Sequence, residues 1–256
     1  MRVIFIRLKT VLMAAAMAAV IVVAALAASA TGAIEVYGSA ARSLPIYNVQ
    51  RDDNKISISF DCAWGTEYTD AILAALGEAK VRATFFTVQF WAEEHPDYIK
   101  KISDAGHEIG THSATHSYMS RLSETEIRAE MESSVAAIES VTGKTVELFR
   151  PPYGDYDNLL IDTVNAMGYY PIQWDVDSLD WKDLSASDIL ARITDRVQSG
   201  SIILCHNNGL HTAEAVPLVL DALRAKGYEF VPIGELIYRE NYRIDATGKQ
   251  IPEGRA

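Results

Sequence analysis

The chain has 256 residues, of which 49% are hydrophobic, 22% charged and 9% aromatic. This composition excludes a disordered polymer, a collagen-like repeat and a polytopic membrane protein, and the length suffices for one sizeable core. The net charge is −11, and the first 30 residues contribute three cations and no acid, so the remainder carries −14. Such an acidic part is unsuited to binding nucleic acid or anionic lipid through a general basic field. Two cysteines do not make a disulfide scaffold.

The N-terminal residues 1–30 have the pattern of a signal peptide or membrane anchor. The three cations precede an unbroken apolar run over residues 11–28, which leads into the small-x-small sequence Ala28-Ser29-Ala30. The run is just long enough to cross a bilayer, which favours an anchor, although its alanine content weakens insertion and leaves a cleaved signal open. Either interpretation places the cations in the cytoplasm and everything after Thr31 outside it.

Residues 31–54 are predicted to form a stalk that leads into the domain. Within this segment, Leu44–Val49 alternates enough to form a short strand, and the acidic cluster that follows would turn the chain back. The tail from Arg239 to Ala256 is charged and contains Gly and Pro, so we expect it to be loosely held. The globular domain therefore spans residues 55–238.

Short apolar runs alternate with longer amphipathic stretches throughout this domain. Strands are predicted at 55–60, 83–87, 108–111, 147–149, 170–174, 201–205 and 229–232. Helices are predicted at 69–80, 97–105, 123–141, 158–167, 187–198 and 212–226. This βα order predicts a parallel sheet, either a closed barrel or an open doubly wound sheet.

The placement of polar residues distinguishes these two architectures. Asp61 follows the first predicted strand, His112 and His116 follow the third, Arg150 ends the fourth and His206 follows the sixth. An open sheet gathers ligands at one topological switch point, whereas a barrel collects residues from the carboxyl ends of many strands. The distribution therefore favours a (β/α) barrel.

His112-Ser113-Ala114-Thr115-His116 places two imidazoles four residues apart. Neutral imidazole is a good ligand for Zn²⁺ or Co²⁺, and a pair at this spacing can chelate one ion. On its own, the pattern more often describes two solvated loop histidines. Their position after a barrel strand favours the metal site.

Arg150-Pro151-Pro152-Tyr153-Gly154 is a more specific segment. Two prolines fix the backbone, so the guanidinium and the Tyr153 amide would be rigidly held, as an oxyanion donor must be. The alternative is a plain rigid turn with a surface arginine. Asp61, by contrast, would serve equally as a helix cap or as a site carboxylate.

His206 ends a strand of the buried type, and Leu204 shares its face. A lone histidine is usually structural, but an aspartate holding one ring nitrogen would make His206 a plausible general acid. The segment from Asp177 to Trp181 contains Asp180 beside a large apolar side chain. Its alternative interpretation is an acidic surface loop with a packed tryptophan.

Taken together, these segments resemble the five ordered motifs of the polysaccharide deacetylases, the NodB-homology family of carbohydrate esterases. The matching segments are Ser59-Phe60-Asp61, His112–His116, Arg150–Gly154, Asp177–Trp181 and Ile202–His206, with further likeness at Ala83–Phe86 and Gly106–Gly110. The resemblance covers residues 55–238 and implies a single distorted (β/α) barrel, consistent with about seven parallel strands. The N-terminal run and residues 44–47 resemble the sporulation-associated branch that acts on peptidoglycan.

The resemblance implies that His112 and His116 hold a divalent metal, Zn²⁺ or alternatively Co²⁺. Asp61 would deprotonate the metal-bound water, and Arg150 would orient that carboxylate. The metal and the backbone N–H of Tyr153 would stabilise the oxyanion formed from the acetamide carbonyl.

The resemblance also assigns the leaving-group side of the reaction. His206 would protonate the departing amine, Asp180 would set its tautomer and raise its pKa, and Leu204 and Trp181 would enclose the acetyl methyl. The expected protein is a metal-dependent hydrolase that removes N-acetyl groups from a cell-wall glycan, foremost peptidoglycan, and releases acetate. It would be membrane-anchored or secreted to the cell wall, and a chitin oligosaccharide is the alternative substrate.

Cys62 departs from the family pattern. The family has two consecutive aspartates, of which the second is the third metal ligand, and Cys62 stands at that second position. Its thiolate would ligate zinc well, at a longer bond. Alternatively, Cys62 is an apolar filler, and the protein is a wall-binding member with weak or lost catalysis. Cys205 is expected to pack between helices and barrel, which disfavours a bridge to Cys62.

Overall fold

The computed structural model describes residues 9, 13, 15–23 and 42–254. The chain divides into two compact units, residues 1–42 and 43–256. In the first unit, residues 15–23 are helical. No helix within the described ranges is long and apolar enough to cross a membrane. The rest of the predicted signal or anchor segment, and the predicted stalk as far as residue 41, lie outside the described residues.

The second unit contains all the strands and helices that position the site. Its strands are β1 (Asn48–Val49), β2 (Lys55–Cys62), β3 (Thr84–Thr87), β4 (Glu108–Thr111), β5 (Leu148–Phe149), β6 (Tyr170–Pro171), β7 (Val176–Asp177), β8 (Ile202–His206), β9 (Glu229–Phe230), β10 (Tyr242–Ile244) and β11 (Lys249–Pro252). Its α-helices are α1 (Thr69–Glu78), α2 (Gln89–Glu94), α3 (Pro96–Asp104), α4 (Glu124–Thr142), α5 (Asn158–Ala166), α6 (Ala186–Thr194), α7 (Thr212–Ala225) and α8 (Ile233–Leu236). Short 3₁₀ helices lie at Met119–Arg121, Pro152–Gly154 and Asp180–Lys182.

Within residues 42–254, seven parallel strands form one sheet in the order β6-β5-β4-β3-β2-β8-β7, and β9 pairs with the start of β2. The prediction of an α/β barrel-like fold is confirmed. In the part of the chain that the structure describes, β6 and β7 do not pair with each other, so the sheet is a half-barrel. The lead-in segment lies at this opening, where Ile46 bridges Ile172 and Asn48 bridges Ser201.

The largest difference from the predicted strands lies at residues 170–177. The predicted strand 170–174 is only two residues long, and β7 follows it without an intervening helix. Asp175 explains the departure, because its carboxylate accepts hydrogen bonds from Ile202 N at 2.8 Å and Ser201 Oγ at 2.8 Å. These bonds direct the chain across to β8.

The two faces of β2 have different surroundings. Ile58, Phe60 and Cys62 are fully buried in the core between sheet and helices. Ser59 and Asp61 alternate with them and point into the barrel, where Ser59 Oγ donates to the carbonyl of Ile203 at 2.7 Å. Side-chain alternation therefore places polar groups along the interior of the barrel.

The C-terminal segment is not loosely held, and that expectation is wrong over residues 242–252. β11 pairs with β10 in antiparallel fashion and with β1 in parallel fashion. Gln250 is fully buried, and its side-chain amide bonds both the N–H and the carbonyl of Tyr238 at 2.8 Å. Backbone pairing with the lead-in strand therefore fixes the tail.

Candidate active site

The carboxyl ends of the parallel strands surround a cavity of about 560 Å³. Several side chains singled out in the sequence line it: Asp61, His112, His116, Tyr153, Trp181, Leu204 and His206. Arg150 and Asp180 are fully buried and contact members of this set. The structure thus brings together the predicted site residues except Cys62.

Arg150 and Asp61 form a buried ion pair beneath the cavity. Arg150 Nη1 donates to Asp61 Oδ1 at 2.8 Å and to Ser59 Oγ at 2.9 Å. The guanidinium lies 4.1 Å from the centre of the Phe86 ring. Burial opposes ionisation of Asp61, but the charge and the hydrogen bond of Arg150 outweigh it and lower the pKa of Asp61. The carboxylate is therefore ionised at neutral pH.

His112 has a fixed orientation. Its Nδ1 lies 2.8 Å from the carbonyl oxygen of Arg150, which fixes the tautomer with the proton on Nδ1. Its Nε2 then faces Asp61 Oδ2 at 3.5 Å. Burial lowers the pKa of His112, so the ring is neutral at pH 7.

His116 lies beside His112, with 4.9 Å between the ring centroids. The Trp64 ring lies 4.8 Å away and the Tyr153 ring 4.6 Å away, both edge to face. Burial and the neighbouring His112 lower the pKa of His116 to about 4. Its Nδ1 is buried and, among the described residues, has no hydrogen-bond partner. The two histidines are thus a pair of neutral imidazoles facing the cavity.

Asp180 holds His206 by two hydrogen bonds. Its Oδ1 lies 2.8 Å from His206 Nδ1, while its Oδ2 accepts from the backbone N–H of His206 at 2.7 Å. Thr212 Oγ1 donates to the same Oδ2 at 2.7 Å. Burial opposes the charged imidazole, but the hydrogen bond and charge of Asp180 outweigh it and raise the pKa of His206. This arrangement favours a protonated ring with Nε2 left for the cavity.

The loops around the cavity contain strained backbone. Ser113, His116, Tyr153 and Leu179 all have positive φ, between 54° and 72°. Such conformations cost non-glycine residues about 1–3 kcal/mol each and cluster at functional sites. Tyr153 lines the cavity within this rigid segment, so its backbone N–H remains a candidate oxyanion donor.

Several residues of the site are not among those predicted from the sequence. Trp64 and Trp174 line the cavity. The backbone carbonyl oxygen of Gln173 accepts a hydrogen bond from Arg150 Nη2 at 3.2 Å. Ser59 could have been found, because strand alternation places it on the face of Asp61. The two tryptophans had no comparable signal, since their positions depend on loops.

The structure places Cys62 in the core rather than among the residues that line the cavity. Cys62 is fully buried with Phe60 and Trp91 in the core beneath the helices, on the opposite face of β2 from Asp61. Burial, reinforced by the charge of Asp61, raises the pKa of its thiol well above the usual value. Cys62 and Cys205 are both free thiols.

The donor set therefore does not complete a catalytic zinc centre. Such centres use three protein ligands and keep one open position. His112 and His116 supply two imidazoles, and Asp61 is already paired with Arg150. Over the described ranges, no group of three or more His, Cys, Asp or Glu side chains could hold a metal ion.

A family model described as polysaccharide deacetylase matches residues 48–172. A peptidoglycan-N-acetylglucosamine deacetylase of Bacillus cereus is 30% identical over 196 residues, which cover 75% of this chain and 92% of that protein. The chain belongs to the polysaccharide deacetylase family. The named enzymes of this family are N-deacetylases, which hydrolyse a carbon–nitrogen bond other than a peptide bond.

Two further members of the family show its range. A Bacillus subtilis protein named YlxY is 31% identical over 193 residues, which cover 75% of this chain but only 60% of that protein. The structure of BA3943 from Bacillus anthracis, described as a CE4 family pseudoenzyme, is 32% identical with a TM-score of 0.74, over 82% of this chain and 73% of that one. A mutant of BA3943 is described as having restored enzymatic activity. The family therefore includes named deacetylases and a named pseudoenzyme.

Proposed function

We propose that this chain is an N-deacetylase that hydrolyses the N-acetyl groups of amino sugars in peptidoglycan and releases acetate. One observation carries the proposal: Asp61 and His206 are register partners on the adjacent strands β2 and β8, and both line the same cavity. The pKa of the carboxyl is lowered and that of the imidazole is raised. A carboxylate whose ionised form is favoured and an imidazole whose protonated form is favoured therefore lie side by side, as a base and an acid would.

A residue of the site is placed to assist each step of the proposed hydrolysis. As water adds to the acetamide carbonyl carbon, Asp61 takes a proton from that water, and Arg150 keeps the carboxylate in place. The Tyr153 N–H would donate to the resulting oxyanion. When the carbon–nitrogen bond breaks, His206 gives its proton to the nitrogen, and acetate and a free amine result. Because the residues present do not complete a metal centre, no step is assigned to a metal.

Two apolar side chains at the cavity wall form a candidate binding site for the acetyl methyl group. Leu204 is buried at the cavity wall, and Trp181, which is 57% exposed, lines the same cavity. These two side chains would contact the acetyl methyl while the sugar remains at the open mouth. Peptidoglycan is the proposed substrate because the relative from Bacillus cereus is named for it. A chitin oligosaccharide is the alternative, since it presents the same acetamide.

The proposed location is extracytoplasmic, either anchored in the membrane or secreted to the cell wall. The sequence of residues 1–30, with its cations and apolar run, supports this location. The net charge of −14 after those residues is consistent with a glycan substrate rather than a nucleic acid.

A second candidate function is glycan binding without turnover. Two observations favour it: Cys62 points away from the cavity, and the pseudoenzyme BA3943 has a similar structure. Such a protein would keep the cavity and its aromatic lining but lack a competent metal. With two imidazoles alone, we expect Zn²⁺ or Co²⁺ to bind weakly.

Acetate release and glycan binding, measured on the same preparations, separate the two functions. The full chain and Asp61→Asn are incubated with peptidoglycan and with a chitin oligomer, with and without added Zn²⁺ or Co²⁺. The enzyme hypothesis predicts release by the parent and a roughly 100-fold or greater loss in Asp61→Asn, because the base is removed. Binding without release under any metal condition would establish the second function. Equal release by parent and Asp61→Asn would contradict the proposed mechanism.

A further inference from the structure

The loop that carries both imidazoles is held from the side by helix α4. Glu130 Oε2 accepts hydrogen bonds from the backbone N–H groups of Ala114 and Thr115, each at 2.9 Å. Glu130 Oε1 accepts from Thr115 Oγ1 at 2.7 Å. All three bonds fall between His112 and His116 in the chain. One carboxylate therefore anchors the middle of the loop.

This loop needs an external anchor because its backbone is strained. Ser113 has a φ of 72° and His116 a φ of 56°, conformations that cost non-glycine residues about 1–3 kcal/mol each. Bonds within the loop are local, such as His116 N to Ser113 Oγ at 3.0 Å. Strained conformations persist only where the surrounding structure over-determines them. Glu130 supplies that restraint at the loop's centre.

The two histidines differ in how they are fixed. His112 is bonded to the carbonyl of Arg150 and is nearly fully buried. The His116 ring, in contrast, contacts aromatic rings on its edges, and its Nδ1 has no hydrogen-bond partner among the residues described. The position of His116 relative to His112 therefore depends on the backbone that Glu130 restrains.

We propose that Glu130 is a positioning residue for the deacetylase site, fixing the His116 imidazole against His112 and between Trp64 and Tyr153. Its relevance to catalysis rests on the proposed function, whereas its effect on His116 does not. Glu130 lies outside the cavity and acts through the loop. Hydrogen bonds of this kind orient the groups that contact substrate or metal, and their loss typically lowers activity or metal affinity roughly 10- to 100-fold.

The test uses three variants of the full chain, labelled on histidine for NMR. Glu130→Ala removes all three bonds, while Glu130→Gln keeps an oxygen that can accept both backbone N–H groups. Glu132→Ala is the matched control, because Glu132 is exposed on the same helix. The readout is the ring-proton shift of His116, which the ring currents of Trp64 and Tyr153 displace from the value of free imidazole.

We expect Glu130→Ala to move the His116 resonance toward the free imidazole value, with Glu130→Gln and Glu132→Ala close to the parent. Where the parent releases acetate, Glu130→Ala should lower kcat roughly 10- to 100-fold, and Glu130→Gln should restore most of it. An unmoved His116 resonance in folded Glu130→Ala would overturn the proposal, even if activity fell. A moved resonance in a protein without deacetylase activity would uphold the role of Glu130 and count against the proposed function alone.

A milder variant covers the case in which Glu130→Ala does not fold. Thr115→Val removes the hydrogen bonds from Oγ1 to Glu130 Oε1 and between Oγ1 and Ser117 Oγ, and it keeps both backbone bonds to Glu130. It should displace the His116 resonance in the same direction by a smaller amount. When Glu130→Ala cannot be measured, a His116 resonance at the parent position in folded Thr115→Val would contradict the proposal.

Discussion

Arg150 Nη1 lies 2.8 Å from Asp61 Oδ1, and both side chains are buried below the cavity. Such a pair adds little stability by itself, because desolvation of two charges offsets most of their attraction. Its effect here is to fix orientation. With Oδ1 bonded to Arg150, Oδ2 lies 3.5 Å from His112 Nε2. The proposed base therefore has one oxygen held and one oxygen on the side of the paired imidazoles.

Replacing Arg150 with methionine should destabilise the fold strongly. The substitution leaves the Asp61 charge buried without its partner, so the free energy of unfolding at pH 7 should fall by about 3–5 kcal/mol, measured by urea denaturation. The pKa of Asp61 is lowered in the parent, so its stabilising contribution is present above its ordinary pKa and is lost as pH falls. The difference in the free energy of unfolding between the parent and Arg150→Met should accordingly become smaller at acidic pH.

A double variant is the control for this ion pair. Asp61→Asn combined with Arg150→Met removes both charges, so part of the stability lost in Arg150→Met should return. If the loss in the free energy of unfolding of the double variant equalled the sum of the losses in the two single variants, the ion-pair explanation would be wrong.

Asp180→Asn should shift the pH dependence of the reaction. Asp180 raises the pKa of His206, and burial alone would lower it, so the pKa of His206 should fall in the variant. Because the general acid must be protonated, the alkaline limb of acetate release should move to lower pH. The stability that results from the raised pKa of His206 is present at acidic pH and is lost as the pH rises through that pKa. Asp180→Asn should therefore lower the free energy of unfolding mainly at pH values below the pKa of His206. NMR titration of His206 checks the shift, and an unchanged pKa would contradict the assignment.

Much of the site follows from chain order and strand alternation. Asp61, Arg150 and His206 each lie at the carboxyl end of a different strand, and the carboxyl ends of parallel strands meet at one mouth. Alternation also groups Leu204 with His206. The same rule, applied to β2, places Cys62 with Phe60 on the face opposite Asp61, which is where the structure has it.

Other features depend on contacts that the sequence does not display. Glu130 bonds a loop 15 and 16 residues earlier, and no spacing rule links a helix surface to that loop. β11 pairs with β1, which lies near the opposite end of the domain in sequence, although the composition of the segment that contains β11 predicts a charged tail. These features arise from tertiary packing, which overrides local composition.

Cys62→Ala should leave metal affinity unchanged. The thiol packs in the core with Phe60 and Trp91, away from the two imidazoles, so no ligand is lost. The expected cost is a stability loss of about 1 kcal/mol from the smaller side chain. Calorimetric titration with Zn²⁺ measures the affinity, and His112→Ala is the matched loss control. A clear weakening in Cys62→Ala would place the thiolate back among the ligands.

Gly110→Ala tests the packing under the ion pair. A Cβ at Gly110 would lie 2.7 Å from the Phe86 ring and 2.9 Å from the carbonyl oxygen of Leu148, closer than real contacts allow. Phe86 supports the Arg150 guanidinium, so its displacement should reach Asp61. We expect a stability loss of about 1–3 kcal/mol together with reduced acetate release.

Gly77→Ala provides the opposite control for this prediction. Gly77 lies in α1, and apart from its chain neighbours and the backbone of its own helix, no described atom lies within 4 Å of the point that an alanine Cβ would occupy, so the added methyl group meets no obstacle there. Helix propensity then predicts a gain of roughly 0.5–1 kcal/mol. Denaturation of both variants, with acetate release measured in parallel, separates local crowding from a general effect of adding a methyl group. If Gly110→Ala kept the stability and activity of the parent, crowding at Phe86 would not displace Arg150, and the prediction would be wrong.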